Sequence, residues 1–210
     1  QLFVRKGIEI GRDCKTYAVN EKADFYTENL RMQGDKILFD FHSETETLKD
    51  FSWEIPGIHN VENATAAIAL LNSAGVSLSV LKDGIASFKG IKRRYTKHNF
   101  ENGKAYIDDY AHHPTELNAV IGSIKTFYPD KKLLVVFQPH LFSRTKDFAE
   151  GFAESLSNCD ELLLLDIYPA RELQENFEGI TSDWLLEKIN LDKKEKVSLE
   201  NALNKIKEKD

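Results

Sequence analysis

A chain of 210 residues, 41% hydrophobic and 30% charged, is long enough for one large domain or two modest ones, each with a real core. Its formal net charge of −6 leaves no basic surplus to neutralise phosphates, which argues against a general nucleic-acid binder. No apolar run reaches the length of a membrane span, no signal peptide is expected, and Cys14 and Cys159 lie far apart without metal-like spacing, so a reduced, cytoplasmic protein is the expectation.

The chain opens on Gln1 in strand-like sequence and closes on the charged run "KIKEKD", which points to a piece of a longer protein. Residues 1–56 read mainly as short strands. "ENLRMQGDKILFDFH" predicts a hairpin, with Leu30 and Met32 alternating on one arm, Ile37, Phe39 and Phe41 on the other, and Gly34-Asp35 at the turn. "NVENATAAIALLNSAG" predicts a helix with Val61, Ala64, Ile68 and Leu71 along one face and a stop at Gly75. "SLSVLKDGIASF" predicts another, capped by Ser77, with Val80, Leu81, Ile85 and Phe88 turned inward. The basic stretch "KGIKRRYTKHN" has no apolar periodicity and marks a domain boundary, giving residues 1–92 and 93–210.

Beyond it strands and helices alternate. "KAYIDDY" reads as a strand and "PTELNAVIGSIKTFY" as a helix with Pro114 near its first turn. "KKLLVVFQ" is an apolar strand, "SRTKDFAEGFAESLSN" a helix, "DELLLLDIY" another strand and "TSDWLLEKIN" another helix. "EKVSL" and "ENALNKIKEK" supply a last strand and helix. That alternation predicts an α/β protein with a parallel, doubly wound sheet.

Ligands of such sheets bind at the carboxyl ends of the strands. Three successive strand ends carry Asp108, Asp109, Tyr110, His112 and His113, then Gln138, Pro139, His140, Ser143 and Arg144, then Asp166, Tyr168, Arg171 and Glu172. Helix starts at Pro114 and near Ser143 aim backbone N–H groups at the same rim, which favours anions. Each residue also has a plainer reading. Asp109 can cap the following helix, His112 and His113 can be surface residues, and Arg144 can pair with a surface carboxylate. Asp108, Asp109, His112 and His140 can alternatively be metal ligands. Arg144, ending a buried strand opposite an acidic cluster, suits a fork for carboxylate or phosphate. In the first half, "PGIHNVENA" places His59, Asn60 and Asn63 at a helix start, where amides either cap or meet a heterocycle edge. "KRRY" puts Arg93 and Arg94 in the connection, as a solvated linker or as a hinge arginine that reaches a phosphate when domains close.

Taken together, "PGIHNVENATAA", "GIKRRY", "DDYAHHPTE" and "FQPHLFSRT" resemble the Mur ligases, in order and spacing, over nearly the whole chain. The branch they most resemble adds L-alanine to UDP-N-acetylmuramate in peptidoglycan synthesis. The resemblance implies three domains, of which this chain would carry the later half of the central ATP-binding domain and most of a Rossmann-like C-terminal domain that brings in the amino acid. It implies a reaction in which ATP, with Mg2+, activates the muramate carboxylate as an acyl phosphate that the amine of L-alanine attacks. His59, Asn60 and Asn63 then resemble adenine contacts, Arg94 the hinge arginine at the phosphates, and Asp109 the ribose contact. Tyr110, His112, His140 and Arg144 resemble the catalytic group that orients the amino acid and the muramoyl end.

Two departures stand out. Leu141 follows "FQPH" where that branch commonly has arginine, and Arg171 precedes Glu172 where a glycine is usual, so Glu172 is left out of the candidate set. No G-x-x-x-x-G-K-[ST] occurs, and the magnesium ligands are expected upstream of Gln1, so this chain alone is expected to be inactive. Rival readings are a sister ligase that joins a recycled peptide or adds glutamates to folate, a non-catalytic nucleotide-binding module, and a metal hydrolase.

Overall fold

The computed structural model describes residues 2–34 and 36–208. Contacts divide the chain into two units, Gln1–Asp109 and Tyr110–Asp210.

In the first unit, β1 (Phe3–Arg5), β2 (Lys15–Val19), β3 (Phe25–Gln33), β4 (Lys36–His42) and β5 (Thr47–Trp53) form one sheet in that order. β1, β2 and β3 run parallel, while β3, β4 and β5 form an antiparallel meander. The expected hairpin is β3–β4, with Met32 opposite Ile37 and Gln33 opposite Lys36. Gly34 takes a φ of 61°, which glycine adopts without the Cβ penalty; Asp35 lies outside the described residues. Ile37, Phe39 and Phe41 are buried, and Phe39 stacks on Phe51 of β5 at 5.5 Å. Met32 departs from the expectation and is exposed. The register shifts between Glu28 and Arg31, Asn29 adopts a φ of 55°, and this bulge turns the tip of the hairpin off the core. The bulge is held by the buried Asp40 carboxylate, which accepts from Asn29 Nδ2 and from the Asp50 amide, each at 3.0 Å.

Two helices follow, α1 (Ile58–Ser73) and α2 (Leu78–Ser87). α1 buries Val61, Ala64, Thr65, Ile68 and Ala69, and the Thr65 hydroxyl lies 3.1 Å from that of Thr27 on β3. Leu71, expected on this face, is exposed, because ten residues of helix carry it about a quarter turn away from Val61. The stop holds: Gly75 has a φ of 95° and the Val76 amide donates back to Leu71 O. α2 buries Leu78 and Leu81 instead of Val80, which is exposed; Phe88 stacks on Trp53 at 5.5 Å. Ser77 is the N-cap residue, but its side chain makes no capping bond.

The basic stretch contains a strand. β6 (Thr96–Asn99) pairs antiparallel with β7 (Ala105–Asp108), joined through a turn closed by Gly103 N donating to Phe100 O at 3.1 Å. β7 was expected to open the parallel sheet. Among the described residues it pairs with β6 alone, as the short hairpin offers its backbone the nearest partner.

The second unit carries the parallel sheet, with β8 (Leu134–Phe137), β9 (Glu161–Leu164) and β10 (Lys194–Lys196) in the order β10-β9-β8. Alternation sends Leu162 and Leu164 to one face, where they pack with Leu117 of α3 (Pro114–Phe127), Phe152 and Leu156 of α5 (Ala149–Leu156) and Leu185 of α6 (Ser182–Lys188). Leu163 and Leu165 face the other way, against Val197 and Ala202 of α7 (Leu199–Lys207). With helices on both faces the sheet is doubly wound, as the run of consecutive leucines requires. The helix expected over residues 143–158 is two, α4 (Phe142–Asp147) and α5, broken at Phe148, whose ring packs edge-on against His113 at 4.6 Å.

Candidate functional site

In the second unit the loops beyond β8 and β9 are joined as if the sheet continued. The Leu141 amide donates to Tyr168 O at 2.9 Å and the Tyr168 amide donates to Pro139 O at 2.8 Å, while the His140 and Tyr168 rings lie 5.2 Å apart. Leu141 pays for this junction with a φ of 71°, a left-handed conformation that disfavours a branched side chain, and it serves as the N-cap residue of α4. Phe142 is then buried against Phe177, which leaves Ser143 and Arg144 on the first turn of α4.

His140 Nδ1 is buried without a hydrogen-bond partner. Burial pushes the pKa of this imidazole below its ordinary value; the charges of Arg144, His112 and Arg171 push the same way and that of Glu172 opposes them. His112, Arg144, Arg171 and Glu172 are therefore each within electrostatic reach of His140. Arg144 is half-buried and makes no ion pair among the described residues.

The turn before α3 is fixed by its own sequence. His113, not Asp109, is the N-cap: its Nδ1 accepts from the Thr115 amide at 3.2 Å, Pro114 takes the first helical position, and Glu116 accepts from the amides of His112 at 2.9 Å and His113 at 3.2 Å. Asp109 instead accepts from the Tyr95 amide at 2.8 Å in the first unit. His113 is thus a structural residue, while His112 Nδ1 lies 3.3 Å from the same Glu116 carboxylate. His112 Nδ1 donates to Tyr110 O at 3.0 Å, so Nε2 is the acceptor in the neutral ring; the Tyr110 ring stands 5.4 Å away, edge-on. α5 holds this turn from below. Ser155 Oγ donates to Pro114 O at 3.1 Å, and Gly151 lies so close that a Cβ there would sit 2.9 Å from Pro114 Cγ.

Glu172, set aside on sequence grounds, reaches α4. Its carboxylate accepts from the Ser143 amide at 3.0 Å and from Ser143 Oγ. The Ser143 hydroxyl chiefly, with the amides of Ser143 and Phe142 and the charge of Arg171, holds its pKa below the usual carboxylate range. An acid on the loop after the neighbouring strand is a natural partner for a helix start, and this was the available signal.

In the first unit, His59, Asn60 and Asn63 lie in the first turns of α1, behind Gly57 with its φ of 106°. Asn60 Nδ2 donates to Pro56 O at 2.7 Å, which orients the amide without capping the helix, and Asn63 is exposed. Burial lowers the pKa of His59 against the charges of Asp109 and Glu62, so His59 and Asp109 stand within reach of each other. Asp108 lies 3.8 Å from Arg93 Nε, and Arg94 is exposed with its amide donating to Ile91 O at 3.0 Å. Among the described residues no group of three or more His, Cys, Asp and Glu is arranged to hold a metal, so the ligand set Asp108, Asp109, His112 and His140 does not form one.

A polar rim at the carboxyl ends of a doubly wound sheet, following a mixed α/β unit with its own polar helix start, is where α/β proteins of this architecture bind small ligands. Residues 93–209 match the pattern described as "Mur ligase, glutamate ligase domain" and residues 3–71 the "Mur ligase middle domain", and the chain belongs to the Mur ligase family. It is 46% identical over 211 residues to the UDP-N-acetylmuramate–L-alanine ligase of Flavobacterium johnsoniae, covering 100% of this chain and 46% of that one. With the enzyme of the same name from Christiangramia forsetii it shares 44% over 207 residues, 99% of this chain and 45% of that one. The chain thus spans about half the length of the curated relatives it matches. The solved UDP-N-acetylmuramate–alanine ligase of Thermotoga maritima superposes with a TM-score of 0.70 at 25% identity, over 91% of this chain and 41% of that one. The folylpolyglutamate synthase of Mycobacterium tuberculosis, solved with ADP and AMPPCP, shares the fold at 14% identity, with a TM-score of 0.71 over 93% of this chain and 42% of that one. The C-terminal sheet is accordingly the Rossmann-like domain of these ligases.

Proposed function

We propose that this chain is part of a ligase that joins L-alanine to UDP-N-acetylmuramate at the expense of ATP, with residues 1–92 belonging to the ATP-binding domain and residues 93–210 forming the amino-acid domain. The observation that carries this reading is the junction of Leu141 with Tyr168, which fixes the loop bearing His140 and Arg144 at the strand ends, with His112 within electrostatic reach of His140. Identity near one half to ligases named for that reaction supports it.

In this reading the Arg144 guanidinium, which makes no ion pair among the described residues, takes the carboxylate of L-alanine as a two-pronged fork. The attacking amine must be neutral, and His112, with Nε2 as its acceptor, and His140, held neutral by burial, suit a site that receives the ammonium proton. The amine then forms the C–N bond as the carbon–oxygen bond to phosphate breaks. In the ATP-binding part, His59 is kept neutral by burial and suits an adenine edge together with the Asn60 and Asn63 amides. Asp109 suits a ribose hydroxyl and Arg94 a phosphate. Among the described residues no group of three or more His, Cys, Asp and Glu is arranged to hold Mg2+.

The test is ADP release by the full-length protein given ATP, UDP-N-acetylmuramate and a panel of amines: L-alanine, a peptide and L-glutamate. Turnover with L-alanine is expected, and turnover with the peptide alone would move the assignment to the recycling sister. The 210-residue chain by itself is expected to release no ADP under the same conditions.

A further inference from the structure

None of the roles above uses Glu172. We propose that Glu172 is a positioning residue of the amino-acid site: its carboxylate clamps the first turn of α4 and so sets where Arg144 stands. The proposal rests on the reading of that site as the one for L-alanine.

Both carboxylate oxygens are engaged by one residue, Oε2 by the Ser143 amide at 3.0 Å and Oε1 by the Ser143 hydroxyl. The bond crosses 29 positions of sequence and joins the loop after β9 to the loop after β8. The chain is bent to bring it there. Ala170 adopts a φ of 52°, left-handed for a residue with a Cβ, and the Glu172 amide donates to Pro169 O at 2.9 Å to close the turn. α4 has only six residues, too few to hold its own geometry, so its first turn takes its position from tertiary anchors. Those anchors are the buried Phe142 on one side and Glu172 on the other, and Arg144 is the next residue along. Glu172 is also the single negative charge that His140 feels in a group otherwise made of Arg144, His112 and Arg171.

The test compares Glu172→Gln and Ser143→Ala, singly and together, in the full-length ligase, reading the Michaelis constants for L-alanine, ATP and UDP-N-acetylmuramate. In Glu172→Gln the charge is lost and one of the two acceptor oxygens becomes an amide NH2, so the Ser143 hydroxyl must turn to accept and the clamp weakens from charge-assisted to neutral bonds. The constant for L-alanine should rise about tenfold, the change that loss of one charge-assisted hydrogen bond brings. Those for ATP and UDP-N-acetylmuramate should stay near wild type, and the double variant should be no worse than Glu172→Gln alone. An unchanged constant for L-alanine overturns the proposal, as does an equal rise for all three substrates, which would mark general loosening. Should Glu172→Gln fail to fold, Ser143→Ala, which removes only a hydroxyl, carries the same comparison. If the wild-type enzyme proves to use another amine, the substrate reading falls by itself, and the comparison is made on that amine.

Discussion

Gly151→Ala would press one methyl group against the ring that begins α3. The added Cβ meets Pro114 Cγ at 2.9 Å and Pro114 Cβ at 3.0 Å. Carbon atoms pack best at about 3.5–4.0 Å, so α5 and the start of α3 must part by roughly half an ångström or more. The proline ring cannot swing aside, because its nitrogen and Cα are backbone at the first helical position. Two effects oppose each other. Replacing a helical glycine by alanine gains about 1 kcal/mol, while overpacking costs about 1–3 kcal/mol. The net is a loss of about 1 kcal/mol, which lowers Tm by roughly 2–4 °C for a chain of this size. The larger effect falls on the site. His112 and His113 directly precede Pro114, so the displacement passes to His112 while Arg144 and His140, held by the junction with Tyr168, stay where they are. A misplacement of about 1 Å costs about a hundredfold in rate, so half that distance should lower kcat/KM for L-alanine by about tenfold. Gly122→Ala in α3 is the control. Nothing lies within 4 Å of its Cβ, so it should gain about 0.5–1 kcal/mol and keep wild-type kinetics. Calorimetry and ADP-release kinetics on the full-length protein read both. A Gly151→Ala protein that melts at or above wild type with unchanged kcat/KM would refute the argument.

Arg144→Ala in the full-length enzyme should raise KM for L-alanine about ten- to hundredfold, the loss of roughly 1.5–3 kcal/mol of charge-assisted bonding, with KM for ATP near wild type; equal effects on both would contradict the fork. His140 titrates below its ordinary 6.5, because of burial first and then Arg144. Lowered in the folded state, it binds fewer protons there than in the unfolded chain as pH falls from 6.5 to the depressed value, so stability drops on acidification across that window. His140→Asn should flatten the curve below pH 6.5, and an unaltered curve in denaturant titrations would contradict the assignment. The Cys159 thiol, buried and donating to Leu156 O and Glu161 O, is pushed up to about 11, so a maleimide at pH 7 should label Cys14 and spare Cys159 until the protein unfolds; equal labelling by mass spectrometry of peptides would contradict it.

Most of the architecture was legible because its signals are local. The run of consecutive leucines before Asp166 could only be a strand covered on both faces, and the structure covers it on both. The hairpin at residues 25–42 and the stop at Gly75 follow from turn glycines whose φ values are indeed positive. The failures share one cause, which is tertiary competition. Val80 and Leu71 satisfied a helical period as well as Leu78 and Ala69 did, and only the position of the sheet decides between them. β7 read as the first strand of the parallel sheet, but β6 lay nearer, in a stretch whose lysines and arginines masked its extended backbone. The break at Phe148 was invisible because the periodicity of α4 runs on into α5 unchanged.

The site divides along the same line. Histidine, arginine and asparagine at strand and helix ends can be read from residue type, but a polar strand end is weak evidence on its own, since loops are polar whatever they do. What joins the polar loops after β8 and β9 into one rim is backbone: Leu141 N to Tyr168 O, Tyr168 N to Pro139 O, and two left-handed residues without glycine, Leu141 and Ala170. Glycine at either position would relieve the strain, yet a freer backbone would let the loop after β8 drift from the loop after β9. Gly151 and Glu172 belong to this same layer. Each acts on a residue the sequence does single out, Gly151 through Pro114 on His112 and Glu172 through Ser143 on Arg144, and neither has a motif of its own, because its partner lies on another element. Recognition chemistry here sits in side chains that a sequence displays, while the distances that make it usable are set by close approaches that exist only once the chain has folded.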